Sequence, residues 1–171
     1  MHIALGAERS ILTGPNADLY DGLIGSWDVE VDDFLADGTV RRQVGEWHFG
    51  YVLEGRAIAD VFVVPRRGQR ADAPLSAGNR YGATVRVYDP RAGVWHVVWF
   101  NPVTGAINQL IGRREGDRIL QRGRDGHKDI RWTFSDLTAA SFHWRGESSL
   151  DGGASWRLDV AFEAGRRVPA A

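Results

Sequence analysis

Cysteine is absent from this 171-residue chain, which excludes disulfides and thiolate metal sites and leaves the redox compartment unconstrained. Lysine is almost absent too: Lys128 stands alone among many arginines, a bias that fits genome composition better than a phosphate-binding surface. Net charge is also lacking. At -1 near pH 7 the chain has no concentrated basic footprint of the kind nucleic acid requires. No apolar run approaches the ~20 residues that cross a bilayer as a helix. Met1 to Gly14 shows no charged segment followed by a long apolar one, so no signal peptide is expected. These absences predict a cytoplasmic protein with neither nucleic acid nor membrane as partner.

What is present is alternation. From Trp27 to Arg166 apolar and polar residues alternate in short runs, cut every eight to twelve residues by a Gly-containing turn. Strand side chains alternate faces, and only tight turns can reverse a chain so often, so the pattern predicts antiparallel β structure. Strands are expected at Trp27–Asp32, Val40–Phe49 (with a bulge or bend at Gly45), Leu53–Val64, Tyr81–Tyr88, Trp95–Asn101, Ala106–Arg113, Arg118–Gly123, Ile130–Phe134, Ser141–Ser148 and Trp156–Glu163. Asp37-Gly38, Asp89-Pro90, Asn101-Pro102, Glu115-Gly116-Asp117, Asp125-Gly126 and Asp151-Gly152-Gly153 supply the turns. Hairpins in unbroken succession favour an up-and-down barrel over a Greek-key sandwich, which needs long crossovers. The fold class expected is all-β: an antiparallel up-and-down barrel of about 8–10 strands with a short N-terminal helix.

That helix is expected around Asn16-Ala17-Asp18, with Leu19, Tyr20, Leu23 and Ile24 at helical spacing, plugging one barrel end. The chain divides accordingly into an N-terminal segment (1–24), a barrel (25–166) and a short tail (167–171). Residues 66–79, rich in Arg, Gly, Ala and Pro, read as the one long loop and therefore as a portal.

Three motifs stand out, one a hairpin signature and two that carry a family resemblance. Gly25-Ser26-Trp27 opens the first strand just after the plug, as a Gly-x-Trp does in lipocalins, and Arg157 or Arg145 is expected to cover the indole. Ser149-x-Asp151-x-Gly153-x-Ser155-Trp156 matches the Asp-box, a hairpin signature whose carboxylate caps turn N–H groups; as evidence for glycosidase activity it carries little weight. Leu53-Glu54-Gly55-Arg56 through Asp60, Arg86-Val87-Tyr88-Asp89-Pro90, Trp95-x-x-x-Trp99, Asn101-Pro102, Ile130-Arg131-Trp132 and Phe142-x-Trp144-Arg145 complete the pattern. From about Gly25 to Arg166 the chain resembles an uncharacterised bacterial lipocalin-like family of the calycin superfamily. The resemblance implies a calycin barrel and transfers no catalytic residue.

The chain has seven tryptophans, and several share strand faces: Trp95 with Trp99, Phe142 with Trp144, and Ile130 with Trp132 and Phe134. Such rows either fill a core or line a cavity for a flat, apolar ligand. In a ten-stranded barrel both roles fall on one face. The expected ligand-binding set is Tyr81, Trp95, Trp99, Gln109, Trp132 and Trp144.

A polar set runs in the opposite phase: Asp60, Arg86, His96, Arg131, His143, Arg145 and Glu147. It either faces water or forms a polar pocket. Asp60 is the awkward member, since Ile58 and Phe62 share its face, and Arg86 is its natural partner. Periodicity does not decide which face points inward. Asp60, Arg86 and His143 are accordingly the catalytic candidates, able to act as acid, base and anion stabiliser if they meet.

His48, His96 and His143 lie on separate strands without metal-ligand spacing, so no metal is expected. Nitrobindin-type barrels bind haem through a histidine near the chain end. Here the last strand has none and His143 is the sole substitute, so no haem or other cofactor is expected.

The function expected is binding of a small hydrophobic or aromatic molecule in the barrel. One alternative is a cofactor-independent cyclase, isomerase or hydratase working in the same lumen. The other is a filled barrel acting through its outer face, as an interaction module or homodimer.

Overall fold

The computed structural model describes residues 8–69 and 80–167. Ten strands make one antiparallel meander: β1 (Gly25–Phe34), β2 (Val40–Val52), β3 (Ala57–Val64), β4 (Arg80–Asp89), β5 (Val94–Asn101), β6 (Ala106–Glu115), β7 (Arg118–Asp125), β8 (Lys128–Ser135), β9 (Ser141–Ser149) and β10 (Arg157–Arg166). Each strand pairs with its chain neighbour, and β10 returns to β1 through Trp27↔Arg166 to Asp33↔Val160, closing the barrel. Closure leaves no open sheet edge. The fold is all-β, as the alternation predicts.

The strand count holds, while some boundaries move. β2 continues to Val52 with no register break at Gly45; among the described residues the one shift in pairing lies between Leu158 and Val160. The third strand begins at Ala57 rather than Leu53. Leu53 and Glu54 adopt positive φ in a turn that leaves Leu53 exposed.

The N-terminal plug exists, but it is not an α-helix. Residues 15–20 form a string of turns, followed by a single 3-10 turn at Asp21–Leu23. Asn16 sits at φ 64°, where it cannot cap a helix. Its backbone carbonyl instead accepts from the Trp95 indole at 2.8 Å, and its amide reaches Gly93 O at 3.3 Å. The turns lower Ala17, Leu19, Tyr20 and Leu23 into the barrel end, all of them buried. Tyr20 stands edge-on to Trp95 and Phe134. Gly112 is required beneath it, because a Cβ there would lie 2.2 Å from the Tyr20 hydroxyl.

Trp27 closes the same end, donating to Leu23 O at 2.7 Å and packing on Phe142. The cation over its ring is Arg166, at 4.1 Å, and not Arg157 or Arg145. The antiparallel register explains this correction. β10 starts at the far end of the barrel, where Arg157 bonds Phe34 O, and finishes with Arg166 paired beside Trp27. Arg145 points outward from β9. Arg166 also donates to Ile24 O and Gly22 O at 2.8 and 3.0 Å, sewing the last strand to the plug.

On the outer face of β1 and β2, Glu46 is buried and accepts from Arg67, His48 and Arg167, while Asp28 accepts from Arg66 and Arg167. These bonds hold the Glu46 carboxyl far below its usual range.

Candidate functional site

The inward phase settles the question that periodicity left open. On β3 and β4 the inward phase is buried at Ile58, Asp60, Phe62 and Val64, and at Gly82, Thr84, Arg86 and Tyr88, with Ala57 and Val63 the buried residues of the other phase. Asp60 and Arg86 therefore share the inner face with the aromatics instead of opposing them. His96, Arg131, His143 and Arg145 lie in the outward phase. Glu147, at the mouth, forms a two-pronged pair with Arg131 at 2.6 and 2.8 Å.

The inner space divides into two halves. Toward the plug, aromatic rings fill it: Trp27, Phe142, Phe134, Tyr20, Trp95 and Tyr88. Toward the other end it opens into a cavity of ≈ 310 Å³. Trp47, Phe62, Trp99, Trp132, Trp144 and Phe162 wall this cavity, with Ile130 and Val160 beside them. Trp144 stacks on Phe162 with centroids 4.4 Å apart and leans on Trp132 at 5.8 Å. Trp99 lies across Gly82, where any Cβ would meet the indole at 2.6 Å, so the missing side chain sets the ring's position. Arg41, Arg80, Asn101, Asp125, Glu147 and Asp159 ring the mouth, with Arg41 and Arg80 tied to the buried Asp33.

Beneath the cavity lies a polar layer. The Asp60 carboxylate accepts from Arg86 on one oxygen and from the Trp47 indole, at 2.8 Å, on the other. Arg86, 1% exposed, is flanked by the rings of Tyr20 and Phe49 at 5.0 and 5.3 Å. Gln121, fully buried, takes the Tyr20 hydroxyl proton on its carbonyl at 3.1 Å. Burial pushes the Tyr20 phenol far above its usual range, against the pull of the Arg86 charge, so it stays a donor. Arg86 Nε and Gln121 Nε2 are buried donors with no protein partner. Thr84 and Asn108 complete the polar lining.

Among the expected ligand-binding residues, Trp99, Trp132 and Trp144 meet at the cavity. Trp95 does not line it; it belongs to the filled end, 1% exposed against Tyr20 and Tyr88. Gln109 and Tyr81 fall in the outward phases of β6 and β4, where Asn108 and Gly82 are the inward neighbours. Of the catalytic candidates, Asp60 and Arg86 are paired. His143 is apart from them, exposed on the outer face with Nδ1 3.0 Å from Asp136 Oδ2. None of the described histidines lines the cavity, and no group of metal-ligating side chains occurs among the described residues. The expected portal loop begins and returns at the cavity's open end, since Val64 pairs with Arg80. Its residues 70–79 lie outside those described. No helix among the described residues is long and apolar enough to cross a membrane.

Sequence comparison finds no matching family and no matching curated protein. Solved structures do match. An S-type phycobiliprotein lyase from Guillardia theta superposes with a TM-score of 0.57 at 8% identity, over 90% of this chain and 93% of that one. Rv2717c from M. tuberculosis superposes with a TM-score of 0.59 at 13% identity, over 92% of this chain and 100% of that one. The fold is calycin-like. At these identities the likeness concerns the fold alone.

Proposed function

We propose that the protein binds a small, flat, largely apolar molecule in the open half of the barrel. The observation that carries this reading is the division of the lumen. One half is packed solid with aromatics, while the other keeps a cavity of ≈ 310 Å³ walled by indole and phenyl rings. That volume lies at the lower end of the range for small-molecule sites, ~300–1,000 Å³, and aromatic walls with few polar groups are their usual lining. An S-type phycobiliprotein lyase built on a similar fold is consistent with such a use of the barrel. The enzymatic alternative is less well supported. Both Asp60 oxygens are engaged, and His143 is on the other side of the wall. A general base must reach its substrate proton.

The test is a fluorescence and calorimetric titration with bicyclic aromatics, in the wild type and Trp99→Ala. Saturable one-to-one binding, weakened at least tenfold by Trp99→Ala in a protein that still folds, is expected. Folded protein that binds none of them contradicts the reading.

A second copy of the chain is the partner we propose for the outer face of β3–β6. Val61, Ala83, Phe100 and Ile107 form a cross-strand row there, with Val61 40%, Phe100 41% and Ile107 60% exposed. The two rows toward the plug, Ala59↔Val85↔Val98↔Gln109 and Ala57↔Val87↔His96↔Ile111, add no Asp, Glu, Lys or Arg. The outer faces of β1 and β7 are, by contrast, charged. In a two-fold dimer each patch meets itself, so an uncharged apolar face is its own complement, whereas a charged one would repel. Sedimentation is expected to show a dimer that Phe100→Asp converts to a monomer. A monomeric wild type at tens of micromolar contradicts it.

A further inference from the structure

The lumen's polar layer indicates what the ligand must carry, given the binding reading above. We infer that the bound molecule presents a neutral hydrogen-bond acceptor, such as a ketone, aldehyde, amide or ester carbonyl, to Arg86 and Gln121, and that a carboxylate is disfavoured there.

Arg86, whose guanidinium stands 5.0 Å from the Tyr20 ring centroid, can only donate hydrogen bonds and so cannot take the phenol proton. The phenol proton must therefore go elsewhere, and the Gln121 carbonyl receives it at 3.1 Å. This fixes the amide's orientation, with the Gln121 NH₂ turned away from Tyr20. Its Nε2 has no protein partner although the residue is fully buried, and Arg86 Nε is in the same condition. Both residues line the cavity. Two buried donors without acceptors are costly unless water or a ligand oxygen reaches them. The layer thus asks for an acceptor.

Charge decides which acceptor. The Arg86 cation is already neutralised by Asp60 at contact distance. Adding a carboxylate would give two anions to one cation in a buried site, with the second lacking a counter-charge. A neutral carbonyl takes the same two N–H groups and brings no charge. The aromatic walls above then hold the ligand's flat body.

The experiment uses three probes sharing one skeleton: naphthalene, 2-acetylnaphthalene and 2-naphthoate, titrated calorimetrically at pH 7.5. The ketone is expected to bind about tenfold more tightly than naphthalene, the gain of satisfying a buried donor, and at least tenfold more tightly than the carboxylate. Gln121→Leu should erase much of the ketone's advantage over naphthalene while naphthalene still binds. Asp60→Asn keeps an acceptor for Trp47 but frees the Arg86 charge, so it should reverse the order in favour of 2-naphthoate. Wild-type protein that binds 2-naphthoate as tightly as the ketone overturns this inference and leaves the binding reading standing. A ketone no tighter than naphthalene overturns it as well. Folded protein that binds none of the three overturns both.

Discussion

The two ends of this barrel are made from the same residue types and reach opposite outcomes. At the plug end, Trp27, Trp95, Phe134 and Phe142 meet Tyr20 and Leu23 lowered from outside, and nothing is left open. At the mouth end, Trp99, Trp132 and Trp144 have no such plug among the described residues and stand around a cavity. The aromatic walls are alike, and the difference is the extra chain segment. Where residues 15–23 enter, wall becomes core; where no described segment enters, the wall remains a surface that can receive something else. The Asp60–Arg86 pair marks the boundary between the halves.

Substitutions can break this comparison. Trp27→Ala should cost ~3–5 kcal/mol of unfolding free energy, the usual loss for truncating a packed aromatic. Its effect on ligand affinity should be small in protein that remains folded. Trp132→Ala should do the reverse, costing clearly less stability, because its ring is only partly buried, while weakening bicyclic ligands at least tenfold. Denaturant melts paired with titrations would read both, and equal stability losses would contradict the division.

The Glu46 cluster sharpens the comparison by acting on the barrel without touching the lumen. Its folded pKa is depressed, so its stabilisation is fully present above the ordinary glutamate range, near 4.5, and is lost as pH falls toward the folded value. Glu46→Gln should be about 2 kcal/mol less stable than wild type at pH 7, with the gap shrinking as pH falls from the ordinary glutamate range toward pH 2. Ligand affinity at pH 7 should not change. A gap constant from pH 7 to pH 2 would show that the carboxylate's charge contributes nothing. The smallest effect expected is for Arg166→Met, ~1–2 kcal/mol from the lost cation–π contact and carbonyl bonds at the plug. Thermal melts should register it with no change at the mouth.

Much of the fold was legible in the sequence because tight turns and two-residue alternation are local signals. The Asp151 hairpin is one example. Asp151 Oδ1 accepts from Ser155 N at 2.9 Å, Ser149 Oγ accepts from Gly153 N at 2.8 Å, and the Trp156 indole closes on Gly153 O at 3.0 Å, as its spacing implied. Which face points inward was not legible, and the reason lies on β3–β6. Val61, Val87, Phe100 and Ile107 make the outer face there as apolar as a core, so alternation loses its contrast. For the same reason alternation assigns Tyr81 and Gln109 to the lumen and leaves Asp60, on β3, grouped with the outward His143 of β9. Gln121 and Asn108 are each a polar residue on an inward face, with Ile119 and Leu110 as same-face neighbours. Leu120 and Ile107, both in the outward phase, obscured that signal. Arg166 as the cation over Trp27 depends on register across the barrel seam, which no local window contains.

The most direct test of the divided lumen is the indole region of a proton–nitrogen correlation spectrum, recorded while 2-acetylnaphthalene is added. Seven tryptophans give seven separate reporters. The signals of Trp47, Trp99, Trp132 and Trp144 should shift and saturate together, while Trp27, Trp95 and Trp156 stay in place. Shifts led by Trp27 and Trp95, or no saturable shift at any indole, would contradict it.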